Sequence, residues 1–172
     1  MNREKICELA LISLTQGKTQ ALADIYDAAA RNIFSLAYTI TGNYCDAEDV
    51  LQNTMIDITR SCWKFTEGKA MAWILTIARH NALDLVRKRA ESTVIPMEYV
   101  SESDIMTDER DFSLVDVRYI LSSLDDDEKQ IVVMRLYSKM PYSEIAEVMG
   151  IKLFAAQKKY QRAIAKLKKY NT

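Results

Sequence analysis

The side chains of this chain that could do chemistry are unevenly placed. Between Ile151 and Thr172 stand seven Lys or Arg and no Asp or Glu, a run of cations suited to nucleic-acid phosphates. The acids Asp125, Asp126, Asp127 and Glu128 are consecutive; consecutive residues point around a helix rather than converging, so a helix cap with dipole pairing is a better reading than a metal site. A third polar group lies in DAEDVLQNTM, residues 46–55. Nucleophilic and metal chemistry are poorly supplied. His80 is the only histidine, and Cys7, Cys45 and Cys62 are far apart with no CxxC spacing, which argues against a zinc centre, a disulfide frame or a Cys/His or Ser/His/Asp arrangement. No glycine-rich phosphate loop is present. The expectation is a chain without catalysis, metal or cofactor, kept in a reducing cytoplasm. Met1 is not followed by a basic-then-apolar leader, and no apolar run is long enough to span a bilayer, so no membrane insertion is expected.

The elements that would position these groups are helices. With 49% apolar and 27% charged residues the chain can bury a core and does not read as disordered. Gly17, Gly42, Gly68, Pro96, Pro141 and Gly150 all fall between apolar-periodic segments, and no period-two run of β-branched residues appears, so the chain reads as all-α. The net charge of −1 conceals polar halves. The basic C-terminal helix is offset by seven acids and one base between Glu91 and Asp111, a non-periodic acidic stretch that makes the best linker. The organisation expected is two small helical domains, 1–90 and 112–172, joined by an acidic linker over 91–111.

A first helix is expected over Arg3–Gln16 with Ile6, Leu9, Ile12 and Leu14 inward. A second, Thr19–Thr41, carries a broad stripe of Leu22, Ile25, Tyr26, Ala29, Ile33, Phe34, Leu36, Ala37 and Ile40. Asp46 reads as the N-cap of a third, which buries Ala47, Val50, Leu51 and Thr54 and leaves Asp46, Asp49, Gln52 and Asn53 to solvent. Such a carboxylate-and-amide face suits a protein partner presenting Arg and backbone donors. A fourth, Ala70–Arg89, buries Trp73, Ile74, Ile77, Ala78, Ala82 and Leu85 and ends in basic residues beside a loop holding Lys64 and Lys69. Helices from Phe112 to Leu121 and from Asp125 to Lys139 follow, the latter with Ile131, Val132, Met134 and Leu136 apolar. Residues 141–170 form a helix-turn-helix: Ile145, Ala146 and Met149 line one helix, Gly150 supplies the turn, and Ala156, Tyr160, Ala163, Ile164 and Leu167 line the second.

Three segments in this order, DAEDVLQNTM, WILTIARHNALDLVRKR and, beyond the acidic linker, LDDDEKQIVVMRLYSKMPYSEIAEVMGI, resemble the extracytoplasmic-function class of bacterial RNA polymerase sigma factors. The resemblance covers about Ala21 to Lys169. It implies a promoter-specificity initiation factor whose partners are core RNA polymerase, promoter DNA and an anti-sigma factor. By position it implies polymerase docking through Asp46, Glu48, Asp49, Gln52 and Asn53. The loop from Lys64 to Met71, with Arg79, His80, Asp84, Arg87 and Lys88, would handle the melted promoter element and a flipped base, Lys64 and Lys69 serving as cations. The helix-turn-helix would read the upstream duplex element through Lys152, Gln157, Lys158, Lys159, Gln161, Arg162 and Lys166, with phosphate contacts from Lys158, Lys159, Arg162 and Lys166.

Three departures from the family pattern stand out. Leu153 and Phe154 are apolar where readers of bases or phosphates are usual; contact with thymine methyls, packing on the other domain in a closed free state, and an unusual promoter are the alternatives. His80 stands where the family has Asn. The loop from Phe65 to Trp73 is shorter than the common form. Leu153 and Phe154 also motivate a rival reading, a sigma-like interaction module that binds polymerase or a regulator but has lost upstream readout.

Overall fold

The computed structural model describes residues 1–92 and 121–170. The acidic linker beyond Ser92 and the helix expected from Phe112 lie outside the described residues. Every regular element among the described residues is helical.

Helix α1 (Arg3–Thr15) starts at Asn2, whose side chain accepts from the Lys5 N–H at 2.9 Å. Its buried line is Cys7, Ala10, Leu11 and Leu14, whereas Leu9 is exposed and Ile6 and Ile12 are only partly covered. The expected stripe is therefore corrected. Positions 7, 10, 11 and 14 share one helical face, and small Cys7 and Ala10 let the neighbouring helices approach. Helix α2 (Ala21–Thr41) buries Ile25, Ala28, Ala29, Ile33, Leu36 and Ala37, but Tyr26, placed in the stripe by sequence, faces solvent. It stops at Gly42, left-handed at φ 67°, whose N–H donates to the Tyr38 carbonyl; a side chain there would strain the turn.

Helix α3 (Tyr44–Ser61) runs into a 3-10 turn (Cys62–Lys64), and α4 (Ala70–Glu91) comes after a short loop. The N-terminus of α4 is capped from another helix: the Glu4 carboxylate of α1 accepts from the Ala70 and Met71 N–H groups. That satisfies two of the donors a helix start leaves unpaired and places negative charge at the positive end of its dipole.

In the C-terminal half, α5 (Asp126–Val132) begins with a capping box in which the Asp125 and Glu128 side chains each accept from the other's backbone N–H, as the acidic run suggested. The helix then widens into a π turn over Val133–Tyr137. The extra residue per turn shifts the helical phase of the residues within and beyond it, so Leu136, expected on the apolar face, points to water. Helix α6 (Tyr142–Met149) ends at Gly150, φ 64°, and the Ile151 N–H closes back on the Ala146 carbonyl at 3.0 Å. Helix α7 (Leu153–Tyr170) completes the helix-turn-helix.

The largest apolar cluster runs through both halves. Ile131, Met134, Met140, Ile145 and Met149 from the C-terminal half join Leu11, Ile25, Ile33, Ile74 and Leu75 from α1, α2 and α4. A second cluster, Leu121, Leu124, Val132, Val133 and Ala163, fixes α7 on α5. The two halves thus pack against each other, with α6 lying on α4 and α5 on α2.

Candidate nucleic-acid interface

Helix α3 offers its face to solvent as expected at Glu48, Asp49, Gln52 and Asn53, while Ala47, Val50, Thr54, Met55 and Ile58 are buried. Asp46 is the exception and requires two corrections. The N-cap is Asn43, whose Oδ1 accepts from the Asp46 N–H at 3.0 Å. The Asp46 side chain is 4% exposed and is paired with the guanidinium of Arg89 at the end of α4. Its carboxyl is pushed above the ordinary value, because burial, with the charge of Asp49, disfavours the charged form more than Arg89 favours it. Asp46 therefore ties α3 to α4 and lies beneath the face that Asp49 and Gln52 present. The same face continues to Ile56, 45% exposed, and beyond α3 Trp63 stands 70% exposed in the 3-10 turn. Sequence reading passed over both, although the spacing of 49, 52 and 56 puts Ile56 on the polar side of the helix. The Lys64 ammonium sits 5.2 Å over the Trp63 ring.

On α4 and its preceding loop, Lys64, His80, Asp84, Arg87 and Lys88 are exposed, with Arg87 bonded to Asp84 at 2.9 Å. Lys69 and Arg79 are each engaged by the C-terminal half. The Lys69 ammonium meets Glu147 of α6 at 2.9 Å, and this bond raises its pKa. Arg79 Nε donates to Gln130 Oε1 of α5 at 2.8 Å. Glu144, beside the Lys69–Glu147 pair, has its carboxyl pushed up, first by burial and then by the charge of Glu4. Two cations expected to meet the melted strand are thus held by the C-terminal half. Gln130 and Glu147 carried no sequence signal for this, because their partners are distant in the chain.

Lys152, just before α7, and Lys158, Gln161 and Arg162 on it are exposed, and Gln157 is partly covered. Lys159 and Lys166 depart from the phosphate role expected of them. Lys159 pairs with Asp127 at 2.9 Å, and Lys166 pairs with the buried Glu128 at 2.6 Å. Both fasten α7 to α5, and the acids that looked like a possible metal cluster are their partners. No cluster of potential metal ligands occurs among the described residues. Leu153 and Phe154 are 48% and 68% exposed, which removes packing on the other domain as their explanation. Among the described residues no helix is long and apolar enough to cross a membrane.

The sigma-70 region 2 family model matches residues 25–92 and the sigma-70 region 4 model matches residues 114–167. The chain is 29% identical over 150 residues to the ECF RNA polymerase sigma factor SigE of Mycolicibacterium smegmatis, covering 82% of this chain and 58% of that protein. It thus spans less than two thirds of that relative's length. It is 24% identical over 174 residues to the ECF RNA polymerase sigma factor SigK of Mycobacterium sp. strain KMS, covering 94% of this chain and 88% of that one. Among solved structures it is similar to CnrH in complex with the cytosolic domain of CnrY, with TM-score 0.73, 19% identity and 96% of each chain covered. It is also similar to the sigma factor RpoE in complex with the anti-sigma factor NepR from Bartonella quintana, with TM-score 0.68, 20% identity and 84% and 92% coverage. The structural likeness speaks for the fold; the two region models, matched in order along most of the chain, speak for the family. This chain belongs to the extracytoplasmic-function class of the sigma-70 family of bacterial RNA polymerase sigma factors.

Proposed function

We propose that the chain is a promoter-specificity initiation factor that binds core RNA polymerase, directs promoter recognition and opening, performs no catalysis of its own and works in the cytoplasm. Residues 1–90 form the polymerase and melted-element domain, 91–111 the linker and 112–172 the upstream-element domain. Glu48, Asp49, Gln52 and Asn53 are the docking residues, and Asp46 holds that helix in place through Arg89. Lys64, Lys69, Arg79, His80, Asp84, Arg87 and Lys88 form the melted-strand surface. Lys69 and Arg79 become available when α5 and α6 move away from α4. Lys152, Gln157, Lys158, Gln161 and Arg162 face the upstream duplex.

The observation that carries this reading is the presence of two unlike exposed surfaces on one core, an acidic-amide face on α3 and a basic face on α7. The first suits a protein partner and the second suits phosphates. An anti-sigma factor is the further partner proposed, since the solved relatives include a sigma factor bound to one.

The test is in vitro transcription with core polymerase and this chain on a fragmented genomic library from its own source, with start sites mapped by sequencing. Recurrent start sites sharing two spaced upstream elements are expected. The exposure of Leu153 and Phe154 favours one second reading, the interaction module without upstream readout. It predicts polymerase binding with no new start sites.

A further inference from the structure

We infer that Phe154, with Leu153 beside it, sets the sequence preference of the upstream element by contacting thymine methyl groups in the major groove. This deepens the proposed function and rests on it.

The argument begins with where the two side chains lie. On α7 the line held against the core is Ala156 and Ala163, both fully buried. At about 100° per residue, Phe154 lies roughly half a turn away from Ala156, and Lys158, Gln161 and Arg162 share its side. The ring is therefore on the outermost line of the helix, in its first turn, among the groups proposed to meet DNA. A large apolar side chain left 68% exposed at such a place contributes nothing to the core, and its surroundings indicate what it meets. Lys152, Lys158 and Arg162 have no carboxylate partner among the described residues, and the Lys158 ammonium lies 5.4 Å over the Phe154 ring. An apolar protein surface would have to desolvate these cations, whereas a duplex groove receives the ring between two rails of phosphate.

Chemistry then selects the base. A phenyl ring has no donor or acceptor, so it cannot read the edges of guanine, adenine or cytosine by hydrogen bonds. What it distinguishes in the major groove is the C5 methyl of thymine. Gln161, two turns further along the same side, can pair bidentately with adenine. The cation–π contact keeps the Lys158 ammonium close to the ring, so a phosphate contact and a methyl contact occur together.

The experiment compares thymine with deoxyuridine, which differs only by that methyl. Holoenzyme assembled from core polymerase and the full chain selects from duplexes with a randomised upstream segment. Selected sequences are then remade with deoxyuridine in that segment alone, and binding is measured for the wild type, Phe154→Ala, Phe154→Leu and Lys158→Ala. Selected elements should contain thymine, and each contacted methyl removed should weaken wild-type binding about fourfold, the equivalent of one buried methylene. Phe154→Ala should abolish the difference between the two bases, Phe154→Leu should retain part of it, and Lys158→Ala should weaken both duplexes alike.

Equal wild-type binding of both duplexes, or a deoxyuridine penalty that survives in Phe154→Ala, overturns the inference and leaves the initiation-factor reading intact. Loss of binding to core polymerase alone in Phe154→Ala also overturns it, by making this face a protein contact. If holoenzyme enriches no element beyond core polymerase alone, the functional reading fails and the inference fails with it.

Discussion

Replacing Lys166 with Met separates a fold-holding lysine from a DNA-reading one. The substitution removes the ammonium and keeps most of the apolar stem, so it tests the bond to Glu128 rather than the packing around it. Glu128 is almost fully buried, and its Oε2 accepts from both Lys166, at 2.6 Å, and the Asp125 N–H, at 3.2 Å. Only the capping bond survives the change. Hydrogen bonds to charged groups contribute about 1.5–3 kcal/mol, and because Lys166 is 45% exposed the lower part, about 1.5–2 kcal/mol, applies. Unfolding entropy of about 2.1 cal/mol/K per residue gives about 0.36 kcal/mol/K for 172 residues. The expected drop in Tm is about 4–6 °C by circular dichroism or calorimetry. Lys158→Met, at an exposed position, should leave Tm within about 1 °C. DNA binding should show the opposite pattern: the slope of log affinity against log salt falls by about 0.9 for Lys158→Met and stays unchanged for Lys166→Met. An unchanged Tm together with a reduced salt slope for Lys166→Met would refute this division of the α7 lysines.

Asp46→Asn tests the buried pair that ties α3 to α4. Because burial raises the Asp46 pKa above the ordinary 3.8, the folded state holds this proton more tightly than the unfolded chain does. The wild type therefore gains stability as pH falls through the folded pKa toward 3.8, a gain the Asn variant lacks. Urea unfolding of both proteins from neutral pH down toward pH 3.8 should show the wild type gaining on the variant; a constant difference would mean that Arg89 fully compensates the burial. Asp49→Arg with Gln52→Ala should weaken core polymerase binding about tenfold or more with Tm unchanged, and normal binding by the folded variant would remove that face from the interface. Gln130→Ala with Glu147→Ala frees Arg79 and Lys69. The free protein should then hold a mixed-sequence single-stranded oligonucleotide about three- to tenfold more tightly in fluorescence anisotropy, and equal affinity would show that the halves do not compete with the strand for these cations.

What could be read from the sequence was local. Gly42 and Gly150 end helices because only they take the left-handed turn without strain, and Asp125 caps α5 because its partner Glu128 stands three residues on. The helix-turn-helix and the open face of α3 were legible for the same reason. The misses were decided by distant residues or by a change of period. Asn43 and Asp46 are both plausible caps, and Arg89, far along the chain, draws Asp46 inward. Lys159 and Lys166 looked like phosphate ligands because the acids opposing them belong to a different helix. Leu136 was misplaced because a helical pattern assumes a constant turn, and the π turn breaks it. In α1 the buried side is marked by Cys7 and Ala10, small residues that a search for Ile and Leu passes over.

The internal pairings give the near-neutral net charge of −1 a structural meaning. Of the cations that the sequence led one to expect on DNA, Lys69 and Arg79 are held by α6 and α5, and Lys159 and Lys166 by the acids of α5. Lys64 and Lys88 remain exposed on the N-terminal half, as do Lys152, just before α7, and Lys158 and Arg162 on its outer face. On the proposed function the free chain meets a melted strand without the use of Lys69 and Arg79, while its docking face on α3 is uncovered. Docking on polymerase can therefore precede separation of the halves, and strand capture has to come after it. The ion pair between the halves is weak: Lys69 and Glu147 are each about half exposed, which limits it to roughly 1 kcal/mol or less. Ile131, Met134, Met140, Ile145 and Met149 hold the halves together far more strongly through the shared apolar cluster. Salt, which screens only the ion pair, cannot by itself open the molecule. The contacts that offset loss of the apolar cluster must be supplied by a surface that receives those side chains, and on this reading that surface belongs to the polymerase.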